Sequence, residues 1–457
     1  MKKNDEIVIT VTDMGKDGEG IGKYDGYTLF VKNALVGDEI KVKLMKAKKN
    51  YGYARLTEII KPSPYRVTPK CHIANKCGGC SLQHLDYKKQ LELKEGMIKG
   101  CLERIGGFKD VQTEPIIGME EPYFYRNKAQ FPVGKGKDGK VQIGFYASGS
   151  HSIIDTDRCV IQRPETDEII GKVRSFLEDN KISIYDEETH EGLVRHILTR
   201  IGFATGEIMV CLVVNGDTLP KSEKLIESLK EVNGLVSVCL NVNRDKTNVI
   251  LGDRVIPLYG EPFITDYIGD IKYQISPLSF YQVNPVQTKV LYETALEFCD
   301  LKGEEVVFDL YCGIGTISLF LAQKAKKVYG VEIVKEAIED AKVNARINEI
   351  ENVEFMVGAA EEVIPNLYKE EGIKADVVVV DPPRKGCDER LLETIVAMEP
   401  KRVVYVSCDP ATLARDLKYL DEKGYRLEKV QGVDQFGHSM HVESIIMMTY
   451  CGQREKK

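Results

Sequence analysis

The chain of 457 residues is long enough for about three domains of ordinary size. Its 43% hydrophobic and 29% charged residues are typical of globular proteins, and the sequence shows neither a signal-peptide pattern nor an apolar run that would span a membrane. We therefore expect a cytoplasmic protein with no membrane partner, in which the 12 cysteines serve as metal ligands, catalytic thiols or core residues rather than as disulfides.

Short alternating segments between Glu6 and Ile60 predict a small antiparallel β-barrel. The segments are EIVITV, YTLFV, EIKVKL and YARLTEI, and turns such as the glycine-rich GKDGEGIG separate them. Oligonucleotide-binding barrels have this size. The proline-punctuated stretch KPSPYRVTP follows, so we place the end of the barrel at residue 60.

The charge of the chain is unevenly distributed. A net charge of −7 argues against a nucleic-acid partner, because binding to phosphates depends on Lys and Arg. Between Lys41 and Lys70, however, the sequence contains nine basic residues and only one acidic residue, Glu58. A protein polarised in this way can present a basic surface to RNA, although a solvated lysine-rich strand pair would give the same pattern.

Four cysteines form the candidate metal site. Cys71, Cys77 and Cys80 lie in CHIANKCGGC, and Cys159 follows much later in TDRCVIQ. Three thiols within ten residues, with a CxxC among them, can converge on one metal centre. The residues alone fit a zinc site and an iron-sulfur cluster equally well, and a redox CxxC less well.

The pattern of predicted strands and helices changes twice after the cysteines. From Pro115 to Phe263, strands such as EIMVCLVV mix with helical stretches without βαβ regularity, which indicates an α+β domain. From Val306 onward, strands alternate with helices, which predicts an open, largely parallel, doubly wound sheet. We therefore predict a barrel at residues 1–60, a central α+β domain at 61–265 and a C-terminal α/β domain at 266–457.

A glycine loop in the C-terminal domain indicates a nucleotide-like cofactor. FDLYCGIGT is an apolar strand that ends in Gly313 and Gly315, and Glu332 ends the next strand, where an acid can bind ribose hydroxyls. Ser318 stands where a dinucleotide fingerprint has its third glycine. S-adenosylmethionine, which has no pyrophosphate, therefore fits better than a dinucleotide, and a purely structural glycine turn is the alternative.

Cys408 lies at the carboxyl end of a predicted parallel strand, in VVYVSCDP. Asp409 and Pro410 form a helix N-cap and first turn, and the positive helix end is expected to lower the pKa of the neighbouring thiol. This position predicts a reactive cysteine. The alternative, a small buried hydrophobe, suits the cysteines within apolar runs better: Cys211, Cys239, Cys299 and Cys451.

Asp381 closes the strand ADVVVVD and begins the loop DPPRKG. An acid at this edge can hydrogen-bond a cofactor or a base. Similar loops occur in methyltransferases that act on exocyclic amines of nucleobases, but those usually carry an aromatic residue where this chain has Arg384. In an enzyme of that kind Cys408 would be dispensable.

Methylation at carbon 5 of uracil would need a thiol. Addition of a thiolate at carbon 6 converts the ring into an enolate whose carbon 5 is nucleophilic enough to take a methyl group. A base must then remove the proton from carbon 5 so that the thiol can leave. Three candidates for this base lie in FGHSMHVES: Glu443, His441 and His438.

Several motifs together resemble the RNA uracil-5 methyltransferase family. They are FDLYCGIGT, VDPPRKG, VSCDP, HVE, FYQVNP and the cysteine cluster, and the likeness covers essentially the whole chain. The resemblance implies that Cys408 is the nucleophile and Glu443 the proton acceptor. It also implies the cofactor contacts, which with the glycine loop are Gln282, Tyr311, Gly313, Glu332 and Asp381.

The resemblance also selects among the open alternatives. The barrel looks like a TRAM domain, and Cys71, Cys77, Cys80 and Cys159 look like the ligands of a four-iron, four-sulfur cluster. Both features are similar to the 23S ribosomal RNA branch, whereas the transfer RNA branch typically lacks them. The segment YFYRNKAQFPV resembles the substrate side, so Arg126 and Lys128 are candidate RNA contacts.

The resulting expectation is a monomeric enzyme that flips a uridine of structured 23S rRNA toward Cys408. Two alternatives remain: a transfer RNA uracil-5 methyltransferase, and an iron-sulfur RNA-binding protein with a relict methyltransferase domain.

Overall fold

The computed structural model describes residues 2–452, which form two compact units. The first contains residues 2–94, 145–154 and 436–441, and the second contains residues 95–144, 155–435 and 442–452. Among the described residues, no helix combines the length and the apolar character needed to cross a bilayer.

The first unit contains the predicted barrel. Its five strands close in the order β1-β2-β3-β5-β4 around a core that includes Ile9, Leu29 and Val42. The barrel is not wholly antiparallel, because β3 and β5 pair in parallel. The strands are β1 (Glu6–Met14), β2 (Gly20–Tyr24), β3 (Tyr27–Val31), β4 (Glu39–Ala47) and β5 (Tyr51–Lys61).

Strand β2 corrects the sequence interpretation, which assigned Gly20 and Gly22 to a turn. Both glycines lie in the strand because the barrel is tightly packed there. A Cβ at Gly20 would lie 2.8 Å from the Ala34 side chain, and one at Gly22 would lie 2.7 Å from the Thr10 carbonyl oxygen. Glycine here serves close approach of neighbouring strands.

A seven-stranded mixed sheet follows the barrel in the chain, in the order β13-β12-β11-β10-β7-β8-β9. Strands β10 and β11 are buried along their whole length. The strands are β7 (Lys128–Lys135), β8 (Val141–Tyr146), β9 (Ile153–Asp155), β10 (Val194–Ile201), β11 (Ile208–Val214), β12 (Leu235–Val242) and β13 (Arg254–Tyr259); the helices of this region are α1 (Tyr87–Cys101), a π-helix (Leu102–Gly106), α2 (Pro164–Asp179) and α3 (Ser222–Leu229).

The second unit also contains the predicted doubly wound sheet, after a hairpin of β14 (Ile264–Ile268) and β15 (Ile271–Ile275). The eight strands run in the order β18-β17-β16-β19-β20-β22-β21-β6. They are β6 (Glu114–Ile117), β16 (Val306–Leu310), β17 (Lys327–Glu332), β18 (Val353–Val357), β19 (Val377–Val380), β20 (Arg402–Ser407), β21 (Tyr425–Val433) and β22 (Glu443–Tyr450). The helices are α4 (Pro285–Cys299), α5 (Thr316–Ala322), α6 (Lys335–Ile347), α7 (Ala360–Lys369), α8 (Glu389–Met398) and α9 (Pro410–Glu422).

Two features of this sheet position the candidate site. The strand order reverses between β16 and β19, and such a switch point opens a crevice at the carboxyl ends of parallel strands. Strand β22 is inserted antiparallel between β20 and β21, so that its beginning lies beside the end of β20. The edge strand β6 comes from the segment that the sequence analysis assigned to the central domain.

Candidate active site

Four parallel strands of the second unit end at predicted site residues. Tyr311 follows β16, Glu332 ends β17, Asp381 follows β19, and Cys408 follows β20. The four strands are neighbours in one sheet and point the same way, so their carboxyl ends share one edge. The structure thus brings these side chains to the edge at which the sequence predicted a site.

Cys408 and Glu443 come together through the antiparallel pairing of β20 with β22. Ser407 pairs with Ser444 at the end of this ladder, and Cys408 and Glu443 are the residues one step beyond that pair on the two chain segments. The charge of the Glu443 carboxyl acts on the Cys408 thiol, so the two side chains lie near each other. Cys408 is half-buried, and Glu443 is buried.

The environment of Cys408 raises the pKa of its thiol to about 11. Burial is the largest cause, the Glu443 and Asp381 carboxyls add to it, and Arg384 opposes it. The expected lowering by the helix end was wrong. The Asp409 carboxylate caps that helix by accepting hydrogen bonds from the backbone N–H groups of Ala411 (2.9 Å) and Thr412 (3.2 Å), so the positive helix end is already neutralised.

The two carboxyl groups near Cys408 also favour their protonated forms. Burial raises the pKa of Asp381 to about 7. Burial and the neighbouring Asp381 raise the pKa of Glu443 well above its usual range, and Arg384 counteracts this effect. Of these three groups, Asp381 has a pKa near neutral pH, and shifted pKa values of this kind are typical of functional sites.

Arg384 is a site residue whose role the sequence analysis missed. It is exposed on the loop after β19, and its charge acts on both Cys408 and Glu443. Helix α9 holds this loop, because the Thr412 hydroxyl donates to the Arg384 carbonyl (3.1 Å) and the Arg415 guanidinium donates to the Lys385 carbonyl (3.0 Å). The motif DPPR contains Arg384, but its sequence does not show that the charge lies near Cys408 and Glu443.

The buried residue Asp416 also anchors the loop after β19. Its carboxylate accepts hydrogen bonds from the Cys387 backbone N–H (2.8 Å) and from the Tyr405 hydroxyl (2.7 Å). Loop, strand β20 and helix α9 are therefore joined at one carboxylate, and Arg384 is carried on a fixed support.

The glycine loop and Glu332 form the candidate cofactor cradle. Gly313 donates its N–H to one Glu332 carboxylate oxygen (3.2 Å), and Val334 donates to the other (3.0 Å). Gly315 has a φ of 80° and no room for a side chain, since a Cβ would lie 2.7 Å from the Phe355 ring. Tyr311 also has a positive φ, 67°, which is uncommon for a non-glycine residue and typical of functional sites.

Ser318 has a specific partner in this cradle. Its hydroxyl donates to the carboxylate of Asp309 at 2.5 Å, and both residues are fully buried. Burial raises the pKa of Asp309 to about 7. The residue that departs from the dinucleotide fingerprint therefore stabilises a buried carboxyl under the loop, a contact that the sequence did not predict.

Hydrogen bonds to the main chain of the FYQVNP loop fix the position of Gln282. Asn127 donates its side-chain amide to the Gln282 carbonyl (2.9 Å) and its backbone N–H to the Val283 carbonyl (2.8 Å), and Asn284 caps helix α4. Within residues 2–452, the side-chain amide of Gln282 makes no hydrogen bond. With Glu332, whose oxygens retain unused lone pairs, it suits the polar groups of S-adenosylmethionine.

Two of the three candidate bases belong to the first unit. There the His438 ring nitrogen Nδ1 lies 3.2 Å from the Gln90 amide nitrogen, and the His438 backbone N–H donates to the Gln90 side-chain oxygen at 2.9 Å. The His441 ring packs edge-on against Phe436, also in the first unit. These contacts give both histidines a structural role there, whereas Glu443 belongs to the second unit together with Cys408.

The cysteine cluster is divided between the units. Cys71, Cys77 and Cys80 are half-buried in the first unit, and Cys159 is half-buried in the second. Burial and the nearby Cys71 raise the pKa of Cys77, whose sulfur accepts a hydrogen bond from the Gly79 N–H at 3.3 Å. Among the described residues, no group of three or more His, Cys, Asp or Glu side chains is arranged to hold a metal ion.

Arg126 and Lys128, the candidate RNA contacts, lie in a group of cations at the start of β7. Burial and the charges of Arg200 and Arg126 lower the pKa of Lys128 to about 7. Arg200 is itself buried and donates to the Ser279 and Pro277 carbonyls of the loop that precedes Gln282.

Comparison with known proteins identifies the family. The sequence pattern of the tRNA (Uracil-5-)-methyltransferase family matches residues 86–450, and that of the TRAM domain matches residues 2–57. An uncharacterized RNA methyltransferase of Clostridium tetani is 56% identical over 100% of this chain and 99% of its own, and one of Bacillus cereus is 52% identical over 98% and 97%. The crystal structure of the Pyrococcus abyssi tRNA (uracil-54, C5)-methyltransferase in complex with S-adenosyl-L-homocysteine is 31% identical, with a TM-score of 0.78 over 97% of this chain and 100% of that one. The chain therefore belongs to the RNA uracil-5 methyltransferase family and is an S-adenosylmethionine-dependent RNA (uracil-C5) methyltransferase with an N-terminal TRAM barrel.

Proposed function

We propose that this enzyme forms 5-methyluridine in 23S rRNA through a covalent bond between the Cys408 sulfur and carbon 6 of the target uracil. The observation that carries the mechanism is the adjacency of Cys408 and Glu443 at the end of one strand ladder. The sulfur adds at carbon 6 and the proton leaves from the neighbouring carbon 5, so the nucleophile and the base must both reach one ring. This pair stands on neighbouring strands beside Asp381 and Arg384.

In the first step the half-buried Cys408 thiol gives its proton to solvent, and the thiolate sulfur adds to carbon 6 of the uracil. The electron pair of the 5,6 double bond moves toward the carbonyl at carbon 4, which gives an enolate with a nucleophilic carbon 5. Arg384 favours this step because its charge stabilises the thiolate relative to the thiol. Burial keeps the thiol mostly protonated in the resting protein, so only a small fraction is thiolate at neutral pH.

S-adenosylmethionine, when bound, supplies the methyl group from its sulfonium. Gln282, Tyr311, Gly313, Glu332 and Asp381 are the residues that we propose hold it. Glu332 is suited to the ribose hydroxyls because Gly313 and Val334 already fix the direction of its carboxylate.

Once carbon 5 carries the methyl group, Glu443 removes the proton that remains there. The electrons of that C–H bond restore the 5,6 double bond, and the Cys408 thiolate leaves carbon 6. Burial supports this role for Glu443, because a carboxylate in an apolar environment is a stronger base than one in water. Glu443 must lose its own proton before it can act as the base. The positive charge of Arg384 favours this loss because it lowers the pKa of Glu443.

The cysteine cluster is proposed to hold a four-iron, four-sulfur centre with Cys71, Cys77, Cys80 and Cys159 as ligands. The closeness of Cys71 to Cys77, and the N–H group of Gly79 that points at the Cys77 sulfur, are consistent with a thiolate-bound centre. No step of the methylation depends on it. Iron and sulfide analysis of protein purified without oxygen tests it: about four of each per chain is expected, and stoichiometric zinc with no sulfide would overturn it. A Cys451→Ser variant, which lacks an exposed cysteine outside the cluster, is the control and should keep the same iron and sulfide content.

Transfer RNA is the second candidate substrate. The description of the matched family names transfer RNA as the substrate. A transfer RNA methyltransferase is also similar over 97% of this chain. The barrel alone therefore does not select ribosomal RNA. Mass spectrometric mapping of 5-methyluridine in both RNA classes, in strains with and without the gene, decides between them. Loss confined to 23S rRNA supports the proposal, and loss confined to transfer RNA contradicts it.

A further inference from the structure

Three aromatic side chains form a cluster on the outer face of the barrel. Phe30 lies on β3, and Tyr51 and Tyr53 lie on β5, which pairs with it. The ring centroids are 5.8 Å apart between Phe30 and Tyr51, 5.7 Å between Phe30 and Tyr53, and 5.8 Å between the two tyrosines. We call Phe30, Tyr51 and Tyr53 the aromatic platform.

The platform is not needed for the barrel core. Leu29, Val31 and Ala54, its neighbours in sequence, point inward and belong to the buried cluster. Tyr51 is 38% exposed and Tyr53 is 43% exposed, although aromatic rings gain free energy when they leave water. Contiguous exposed apolar surface of this kind marks a binding site.

The platform is also held in place. The Tyr27 hydroxyl contacts both ends of the turn between β4 and β5, donating to the Lys48 carbonyl (2.8 Å) and lying within hydrogen-bond distance of the Tyr51 carbonyl. The Lys48 backbone N–H donates to the Tyr27 oxygen at 3.1 Å. The strand that carries both tyrosines therefore starts from a fixed turn, so a ligand meets preformed rings.

Positive charge borders the platform on one side. Lys46 is the cross-strand partner of Tyr53, and Lys43 is the partner of Arg55, which lies two residues beyond Tyr53 on the same face. On the other side, Asp17 and Glu19 act on Tyr53. An anionic chain that covers the rings would therefore run along β4 and β5 and away from the β1–β2 turn.

We propose that the aromatic platform stacks unpaired bases of a single-stranded RNA segment, with the RNA phosphates along Lys43, Lys46 and Arg55. Stacking is open to every base because each has a flat aromatic face, whereas a paired duplex exposes no such face at its sides. The proposal deepens the proposed function, which makes RNA the partner. The proposal gives the barrel a preference for unpaired nucleotides. It does not make the barrel responsible for selecting the target uridine.

Binding of the full-length protein to two fluorescent RNAs tests the proposal. One is an unstructured strand of about 12 nucleotides, within the site size of such barrels, and the other is a duplex of the same length. Removing both rings by Tyr51→Ala and Tyr53→Ala should weaken binding of the strand about tenfold or more and leave duplex binding unchanged. Tyr53→Phe should bind the strand normally, and Tyr53→Leu, which keeps apolar area but no aromatic face, should not.

The matched control is Tyr267→Ala, which removes a ring of 38% exposure on β14 in the second unit and should alter neither affinity. Unchanged binding of the strand by the double variant, or equal losses for strand and duplex, would overturn the platform. Methyl transfer to saturating RNA, measured in parallel, keeps the two claims apart. If the wild-type protein fails to methylate 23S rRNA, the proposed function fails while the binding comparison still decides the platform.

Discussion

Cys408 and Glu443 lie one residue beyond the point where the antiparallel ladder between β20 and β22 ends. The last pair of that ladder is Ser407 with Ser444. The carboxyl of Glu443 contributes to the raised pKa of the Cys408 thiol, which reaches about 11. The nucleophile and the base of the proposed mechanism are therefore electrostatically coupled before any substrate binds.

Replacing Cys408 by Ala should abolish methyl transfer, with a fall in kcat of at least about a thousandfold, because no other group can activate carbon 5. Affinity for S-adenosylhomocysteine, measured by calorimetry, should stay within about twofold of the wild-type value, since the proposed cofactor contacts are elsewhere. Cys451→Ala, which alters an exposed cysteine, is the control and should be fully active. Normal methylation by the Cys408 variant would refute the covalent mechanism.

The rate of methylation at subsaturating RNA should rise with pH from about 6 to 9. The thiolate fraction grows about tenfold per pH unit below the thiol pKa of about 11. Arg384→Gln removes the charge that lowers the thiol pKa, so its profile should shift toward higher pH, while Arg384→Lys should shift less. A profile that is flat above pH 7, or identical in the Gln variant, would contradict this account.

Asp381 should make the stability of the protein depend on pH. Its pKa rises from an ordinary 3.8 to about 7 on folding, so the folded state binds the proton more tightly. The stabilising contribution is complete below pH 3.8 and is lost as pH rises through about 7. Asp381→Asn keeps a neutral group at all pH values and should therefore gain stability relative to wild type, by about 4 kcal/mol at pH 8 and little at pH 4. Denaturant titrations at the two pH values measure this gain, and a pH-independent difference would argue against the buried carboxyl.

Replacing Glu332 by Gln should weaken binding of S-adenosylhomocysteine by about tenfold or more, because an amide offers one acceptor oxygen where Gly313 and Val334 need two. Calorimetry measures the affinity, and binding of RNA should not change. Glu336→Gln, at an exposed position in the next helix, is the matched control. Equal cofactor affinity in all three proteins would remove Glu332 from the cradle.

Much of the site could be predicted because it depends on where parallel strands end. Alternation of strands and helices placed Tyr311, Glu332, Asp381 and Cys408 at the carboxyl ends of strands, and parallel strands gather their carboxyl ends at one edge. Local patterns are sufficient for that inference.

What could not be predicted depends on contacts between distant segments. Glu443 reaches Cys408 only because β22 enters the sheet between β20 and β21, which no local pattern of FGHSMHVES reveals. The direction of the Cys408 pKa shift depends on burial and on the Asp409 cap, and Arg384 matters through charges that the chain brings to it from other strands. In the barrel, the local pattern around Gly20 and Gly22 predicts a turn, because the need for glycine inside a crowded strand is set by Ala34 and Thr10.

The covalent mechanism is tested most directly by intact-mass spectrometry of Glu443→Gln after incubation with S-adenosylmethionine and a substrate RNA. Without the base, the reaction should stop after methyl transfer, so the protein should accumulate with one methylated RNA bound, and the adduct should disappear when Cys408→Ala is added to the same variant. A Glu443→Gln protein that turns over normally, or one that is inactive and never forms an adduct, would contradict the roles proposed for this pair.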